Sequence, residues 1–126
     1  MTALGFVKVN DDVIRYDQFV LQLFKGDSPA YMKFHAALGL CGEAGELADA
    51  IKKAVVYGKK EDIPNIIEEL GDIRFYLQAV QNIYGIPEQV ILQYNAEKLS
   101  KRYASLRYSD EAAINRADKQ ENSDGN

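Results

Sequence analysis

Residues Ser28–Tyr57 read SPAYMKFHAALGLCGEAGELADAIKKAVVY, and the spacing within this stretch decides the fold class. Phe34, Ala37, Leu38, Cys41, Ala44, Ala48, Ile51 and Val55 recur in steps of three and four, the period of a helix with one apolar face. That stripe is expected to be buried. Ser28 before Pro29 has the form of an N-cap with proline in the first turn, and Gly58 supplies a stop. Working outward, Ile63, Ile66, Ile67, Leu70, Ile73, Leu77, Val80 and Tyr84 predict another helix, starting near Asp62 to Pro64 and ending at Gly85. A helix over Asp11 to Lys25 precedes the quoted stretch, and one from Pro87 through Arg107 follows the second. No strand pattern of any length stands out. Connections of a few residues make successive helices antiparallel neighbours, so the expected fold is all-α, a four-helix-bundle-like domain over residues 1–108 with its core at about 28–108. In 109–126, Ser109 caps a short helix through Ala117, and Asp118 to Asn126 has no apolar content to fold around, which predicts a mobile polar tail.

The bulk properties narrow the class of protein. A chain of 126 residues suits one domain with a modest core, which dimerisation would extend. A formal charge of -4 with 27% charged residues gives no basic balance, so no nucleic-acid partner is expected. Cys41 is the single cysteine, which excludes an intrachain disulfide and a cysteine-based zinc site. Met1 to Asn10 lacks a basic segment followed by a long apolar one, and no run of about 18 apolar residues occurs. No membrane association and a cytoplasmic location are therefore expected.

The chemistry concentrates in two acidic pairs, Glu43-Ala-Gly-Glu46 and Glu69-Leu-Gly-Asp72. On a helix, carboxylates spaced i,i+3 project from one face about a turn apart. Four of them gathered in a bundle are costly unless cations neutralise them, which suggests a hard divalent ion held by oxygen. Gly42, Gly45 and Gly71 sit among them, each costing about 1 kcal/mol relative to alanine inside a helix. Close approach of backbone at a site is one reason to keep them. A solvated acidic face is the plainer alternative for either pair taken alone.

Gly42-Glu-Ala-Gly-Glu-Leu47, followed after a gap by Glu68-Glu-Leu-Gly-Asp72, resembles the MazG-type branch of the all-α nucleoside triphosphate pyrophosphohydrolases, whose pattern is Glu-x-x-Glu, a variable gap, then Glu-x-x-Asp. The resemblance runs from about Phe34 to Tyr108. It implies that Glu43, Glu46, Glu69 and Asp72 bind magnesium, with manganese as a substitute, and that the ion engages the triphosphate of a nucleotide. Water would attack the α-phosphate, giving a nucleoside monophosphate and pyrophosphate. Either Glu46 or Glu43 would orient or deprotonate that water. Glu68 is an outer partner of the ligands or a surface glutamate.

Asn95, Lys98 and Arg102, at i, i+3 and i+7, share one helix face. The resemblance implies that this Asn-x-x-Lys-x-x-x-Arg stretch contacts nucleotide phosphates, Arg102 as a fork and Lys98 as a point charge. Lys53 shares a face with Glu46 and either meets a phosphate or balances the acidic cluster; Lys52 points away. His35, two turns before Glu43, bonds a base or sugar or is a satisfied core or surface residue. Tyr76, four after Asp72, reaches the site through its hydroxyl or belongs to the core, an ambiguity Tyr103 and Tyr108 share. Arg116 is a candidate to fold over the site of a neighbouring subunit.

The expected function is hydrolysis of canonical or modified (d)NTPs for pool control or sanitation, by a homodimer or homotetramer. Two alternatives stand: a non-catalytic helical module that binds a nucleotide or partner, and a phosphoribosyl-ATP pyrophosphohydrolase. A di-iron bundle is set aside, because its Glu-x-x-His motifs are missing.

Overall fold

A computed structural model describes residues 5–120. The described chain is mostly helical, in the order β1 (Phe6–Val9), β2 (Asp12–Arg15), α1 (Tyr16–Leu23), α2 (Pro29–Tyr57), α3 (Ile63–Tyr84), α4 (Glu88–Arg102), α5 (Asp110–Asn115) and α6 (Ala117–Gln120). It divides into two compact units, one reaching Gly85 and the other beginning at Ile86. No described helix is long and apolar enough to cross a membrane.

The long helices start and stop where local chemistry directs. The Ser28 hydroxyl accepts from the Tyr31 N–H at 3.1 Å, and Asp62 accepts from the Asn65 N–H at 3.1 Å, each satisfying a donor that has no partner within the first turn. Gly58 and Gly85 close α2 and α3 at φ 63° and 62°, a left-handed conformation that glycine adopts without a Cβ penalty.

The N-terminal expectation is corrected. Instead of one helix over Asp11 to Lys25, an antiparallel hairpin pairs Phe6 with Arg15, Val7 with Ile14, Lys8 with Val13 and Val9 with Asp12. The two-residue loop is Asn10–Asp11, with Asn10 left-handed at φ 55°, a conformation asparagine tolerates. Val7, Val9 and Ile14 are half-buried while their neighbours along each strand are exposed, the period of two that a helical reading overlooks. Among the described residues before α2, only Tyr16–Leu23 is helical.

In the first unit α1 and α2 both pack on α3. Val20, Phe24, Ala36 and Ala79 form the buried core, with Tyr16, Met32, Phe75, Tyr76, Val80 and Ile83 against it. Asn82 ties α3 to the start of α1 by donating to the Asp17 carbonyl at 3.0 Å while accepting from the buried Gln78 amide at 2.9 Å.

The stripe expected to be buried on α2 is instead uncovered: Phe34 is 64% exposed, Leu38 56%, Ile51 47% and Val55 76%, and Cys41 is exposed. α2 turns its other face to α3. The reason is steric, because Phe75 and Tyr76 of α3 need small residues opposite, and Ala36 and Gly39 provide them. A Cβ on Gly39 would lie 2.5 Å from Tyr76 Cζ, well inside van der Waals contact. Of the residues that marked α3, Ile66, Ile73, Leu77 and Val80 are partly buried, whereas Ile63, Ile67, Leu70 and Tyr84 are exposed.

The second unit differs from expectation at three points. The helix capped by Ser109 ends at Asn115, with Arg116 left-handed at φ 50°, rather than running through Ala117. α4 ends at Arg102 rather than Arg107, the Tyr103 N–H donating to the Leu99 carbonyl at 2.8 Å before a turn with Leu106 at φ 56°. No glycine or proline marks that stop. The tail expected from Asp118 begins inside α6, which packs on α4 through Asp118; residues 121–126 of that tail lie outside the described residues.

Candidate functional site

α2 and α3 are joined by a short turn and face each other as antiparallel neighbours. Successive rungs of their contact climb toward the acidic pairs. Ala36 shares the core with Ala79, Gly39 meets Tyr76, and one turn further Glu43 meets Asp72 and Glu69. These three residues each offer a carboxylate oxygen, all within 4.8 Å of one another. Glu43 and Glu69 are half-buried and Asp72 is exposed, so the cluster opens to solvent on one side.

Glu46 stands outside that triad and is exposed, but its charge reaches it. The Glu69 carboxyl is held above the usual carboxylate range, first by burial and then by Glu43, Glu46, Asp72 and Glu68. Repulsion of this kind disfavours ionisation. A cation among these oxygens would remove the repulsion, and an all-oxygen donor set suits a hard divalent ion.

Within the described chain, the glycines beside the carboxylates are not points of close packing. A Cβ on Gly42, Gly45 or Gly71 would meet nothing within 4 Å. The close approach falls at Gly39, one turn before Glu43, where it sets the spacing of the two helices that carry the carboxylates. That contact is tertiary, and the local pattern does not distinguish Gly39 from Gly42.

His35 and Tyr76 sit in an aromatic cluster. The His35 ring stacks on Phe24 at 5.0 Å and meets Tyr76 at 6.0 Å, and Tyr76 stands edge-on to Phe75 at 5.3 Å. His35 Nδ1 is buried without a hydrogen-bond partner. Tyr76 is half-buried one turn after Asp72, on the same side of α3 as the cluster. Tyr16 joins this region unannounced by the sequence. Burial raises its phenol, and the charges of Arg74 and Asp72 act on it in opposite directions.

Of the cations, Lys53 pairs with Asp49 at 2.8 Å, and Lys52 lies 3.6 Å from the same carboxylate. Lys53 is held up first by Asp49 and feels Glu46 as well. In the second unit, Asn95 is exposed and Lys98 half-buried on α4. Arg102, at the end of that helix, forms a fork on Asp118, with Nε donating at 2.9 Å and Nη2 at 3.2 Å. Arg116 approaches the same carboxylate at 3.5 Å, so it is engaged within its own chain. Tyr103 and Tyr108 lie 5.6 Å apart.

The protein is largely helical, and three carboxylates converging from two of its helices are placed where they could hold a metal ion. Residues 35–106 match the MazG nucleotide pyrophosphohydrolase domain, and the chain belongs to that family. It is 32% identical over 73 residues to the Gene 37 protein of Mycobacterium phage L5, a match covering 54% of this chain and 63% of the phage protein. No solved structure matches the chain.

Proposed function

We propose that the protein is a magnesium-dependent nucleoside triphosphate pyrophosphohydrolase that cleaves (d)NTPs between the α- and β-phosphates, in pool control or sanitation. The observation that carries this reading is the convergence of Glu43, Glu69 and Asp72 from α2 and α3 in a chain of the MazG family. Those three carboxylates, with Glu46 completing the set, would hold magnesium or manganese. The ion when bound supplies charge neutralisation at the phosphoryl oxygens.

The remaining chemistry falls to the chain. Water attacks the α-phosphorus, the bond to the bridging oxygen breaks, and pyrophosphate leaves with the electron pair. Glu46 accepts the water's proton, an assignment that favours Glu46 over Glu43 because it is the exposed carboxylate outside the triad. Asn95, Lys98 and Arg102 contact the phosphates, Lys53 balances the acidic cluster beside Asp49, and His35 and Tyr76 approach the base or sugar. Cytoplasmic location belongs to the same proposal.

A second copy of the chain completes the fold in this reading. α2 is apolar on two faces, and α3 covers one of them. A helix with two apolar faces is stable when both are covered, and the four buried apolar residues among those described make a small core for a chain of this length. The uncovered stripe has small residues at its centre, Cys41, Ala44, Gly45 and Ala48, between Phe34 and Leu38 at one end and Ile51 and Val55 at the other. That order suits an antiparallel two-fold crossing.

The test is pyrophosphate release from a panel of nucleoside triphosphates, including phosphoribosyl-ATP, with and without magnesium. Turnover that requires the ion and falls at least ~100-fold in Glu69→Gln is the expected result. Full activity in that variant would remove the site, and absence of turnover on every nucleotide would favour a binding module.

A further inference from the structure

The second unit contains a charge arrangement that the hydrolytic reading does not use. Asp118 lies in α6, its side chain 1% exposed, and it grips Arg102 of α4, whose side chain is 17% exposed. Both bonds come from one edge of the guanidinium, Nε to Oδ1 and Nη2 to Oδ2. Nη1 is used by neither bond. Arg116 approaches Oδ2 from the turn before α6, with its backbone left-handed at φ 50° and its Nε buried without a partner. A bulky residue in that conformation is strained and persists only where its surroundings demand it. The trio carries a net charge of +1, so Asp118 orders Arg102 without cancelling the positive field that an anion meets.

We propose that Asp118 is a positioning residue for the phosphates of the substrate, acting through Arg102. The inference rests on the reading of Arg102 as a phosphate contact. A free arginine at a helix end samples many rotamers and loses them on binding. The Asp118 fork removes that freedom during folding and presents the Nη1 end in a fixed direction. The carboxylate is suited to the task, because hydrogen bonds from Arg102 and Arg116 hold it well below the usual range and so ionised. An aspartate that competed with phosphate would have the opposite effect on affinity, and the two roles separate in kinetics.

The experiment measures KM and kcat for the nucleotide turned over by the intact protein, with Tm alongside, in Asp118→Asn, Asp118→Glu, Arg102→Lys and the Asp118→Asn/Arg102→Lys double variant. Asp118→Asn is expected to raise KM on the order of 10-fold with kcat little changed, the pattern of lost binding felt equally before and during reaction. Asp118→Glu recovers part of that loss. The double variant has a KM no higher than Arg102→Lys alone, a non-additivity that a merely structural role would not produce. Arg116→Ala, which keeps the fork, moves KM the same way by less and serves if Asp118→Asn does not fold. An unchanged KM in Asp118→Asn where Arg102→Lys raises it would overturn the inference and leave the hydrolase reading intact. A lowered KM would overturn it in favour of autoinhibition. No effect of Arg102→Lys on KM, with turnover still dependent on Glu69, would overturn the phosphate role of Arg102 and this inference with it.

Discussion

Replacing Gly39 with alanine tests the helix contact that places the carboxylates. The added methyl would lie 2.5 Å from Tyr76 Cζ, about 1 Å inside ordinary carbon contact. The ring has little room to turn away, because Phe75 stands edge-on to it at 5.3 Å and His35 lies at 6.0 Å. Forcing a methyl into such a contact costs about 1–3 kcal/mol, and the better helix propensity of alanine offsets about 1 kcal/mol of it. A contact this close falls in the upper part of that range, about 2–3 kcal/mol, so the net expectation is a loss of about 1–2 kcal/mol, or a fall in Tm of about 3–10 °C for a domain of this size. Gly42→Ala is the control: with nothing within 4 Å of its Cβ, it should gain up to about 1 kcal/mol and raise Tm. Thermal unfolding followed by circular dichroism at 222 nm reads both signs. Glu43 and Asp72 occupy the rung after Gly39 and Tyr76, so Gly39→Ala should also raise the magnesium concentration needed for half-maximal activity. A Gly39→Ala protein as stable as the parent, or more so, would refute the reasoning.

Three further outcomes follow from the same structure. Asp118 has a folded pKa below its unfolded value near 3.9, so its contribution is complete above that value and is lost as pH falls through the folded one; Asp118→Asn should flatten the acid limb of stability against pH and leave the neutral-to-alkaline shape alone. The chain should run as a dimer in size-exclusion chromatography at micromolar concentration, and Ile51→Glu on the exposed face of α2 should shift it to monomer; a parent protein that is cleanly monomeric contradicts the two-fold crossing. Magnesium should raise the Tm of the parent protein by mass action and leave that of Glu69→Gln nearly unchanged, as differential scanning fluorimetry would show.

Local signals carried much of the architecture. Ser28 with Pro29, Asp62 with Pro64, and the glycines at 58 and 85 are short-range devices, and the two helices they delimit occupy the stretches that the apolar period marked. Where such devices were lacking, the boundaries moved. α4 stops at Arg102 with no breaker residue, and the hairpin at Phe6–Arg15 rests on a short alternation that a helical reading from Asp11 onward overlooks. Asp118 reads as polar tail because its partner Arg102 lies 16 residues away, beyond the reach of a pattern along the chain.

The sequence by itself determined that this is a helical protein with its acidic chemistry in two i,i+3 pairs, since helix period, capping and carboxylate spacing are all properties of neighbours along the chain. It also contained the family pattern that residues 35–106 match. Tertiary structure decided which face of α2 is covered. Both faces are apolar, so periodicity cannot choose between them; the choice falls to the fit of Phe75 and Tyr76 against Ala36 and Gly39. It is that fit, one turn from Glu43, that turns the carboxylate of α2 toward Glu69 and Asp72.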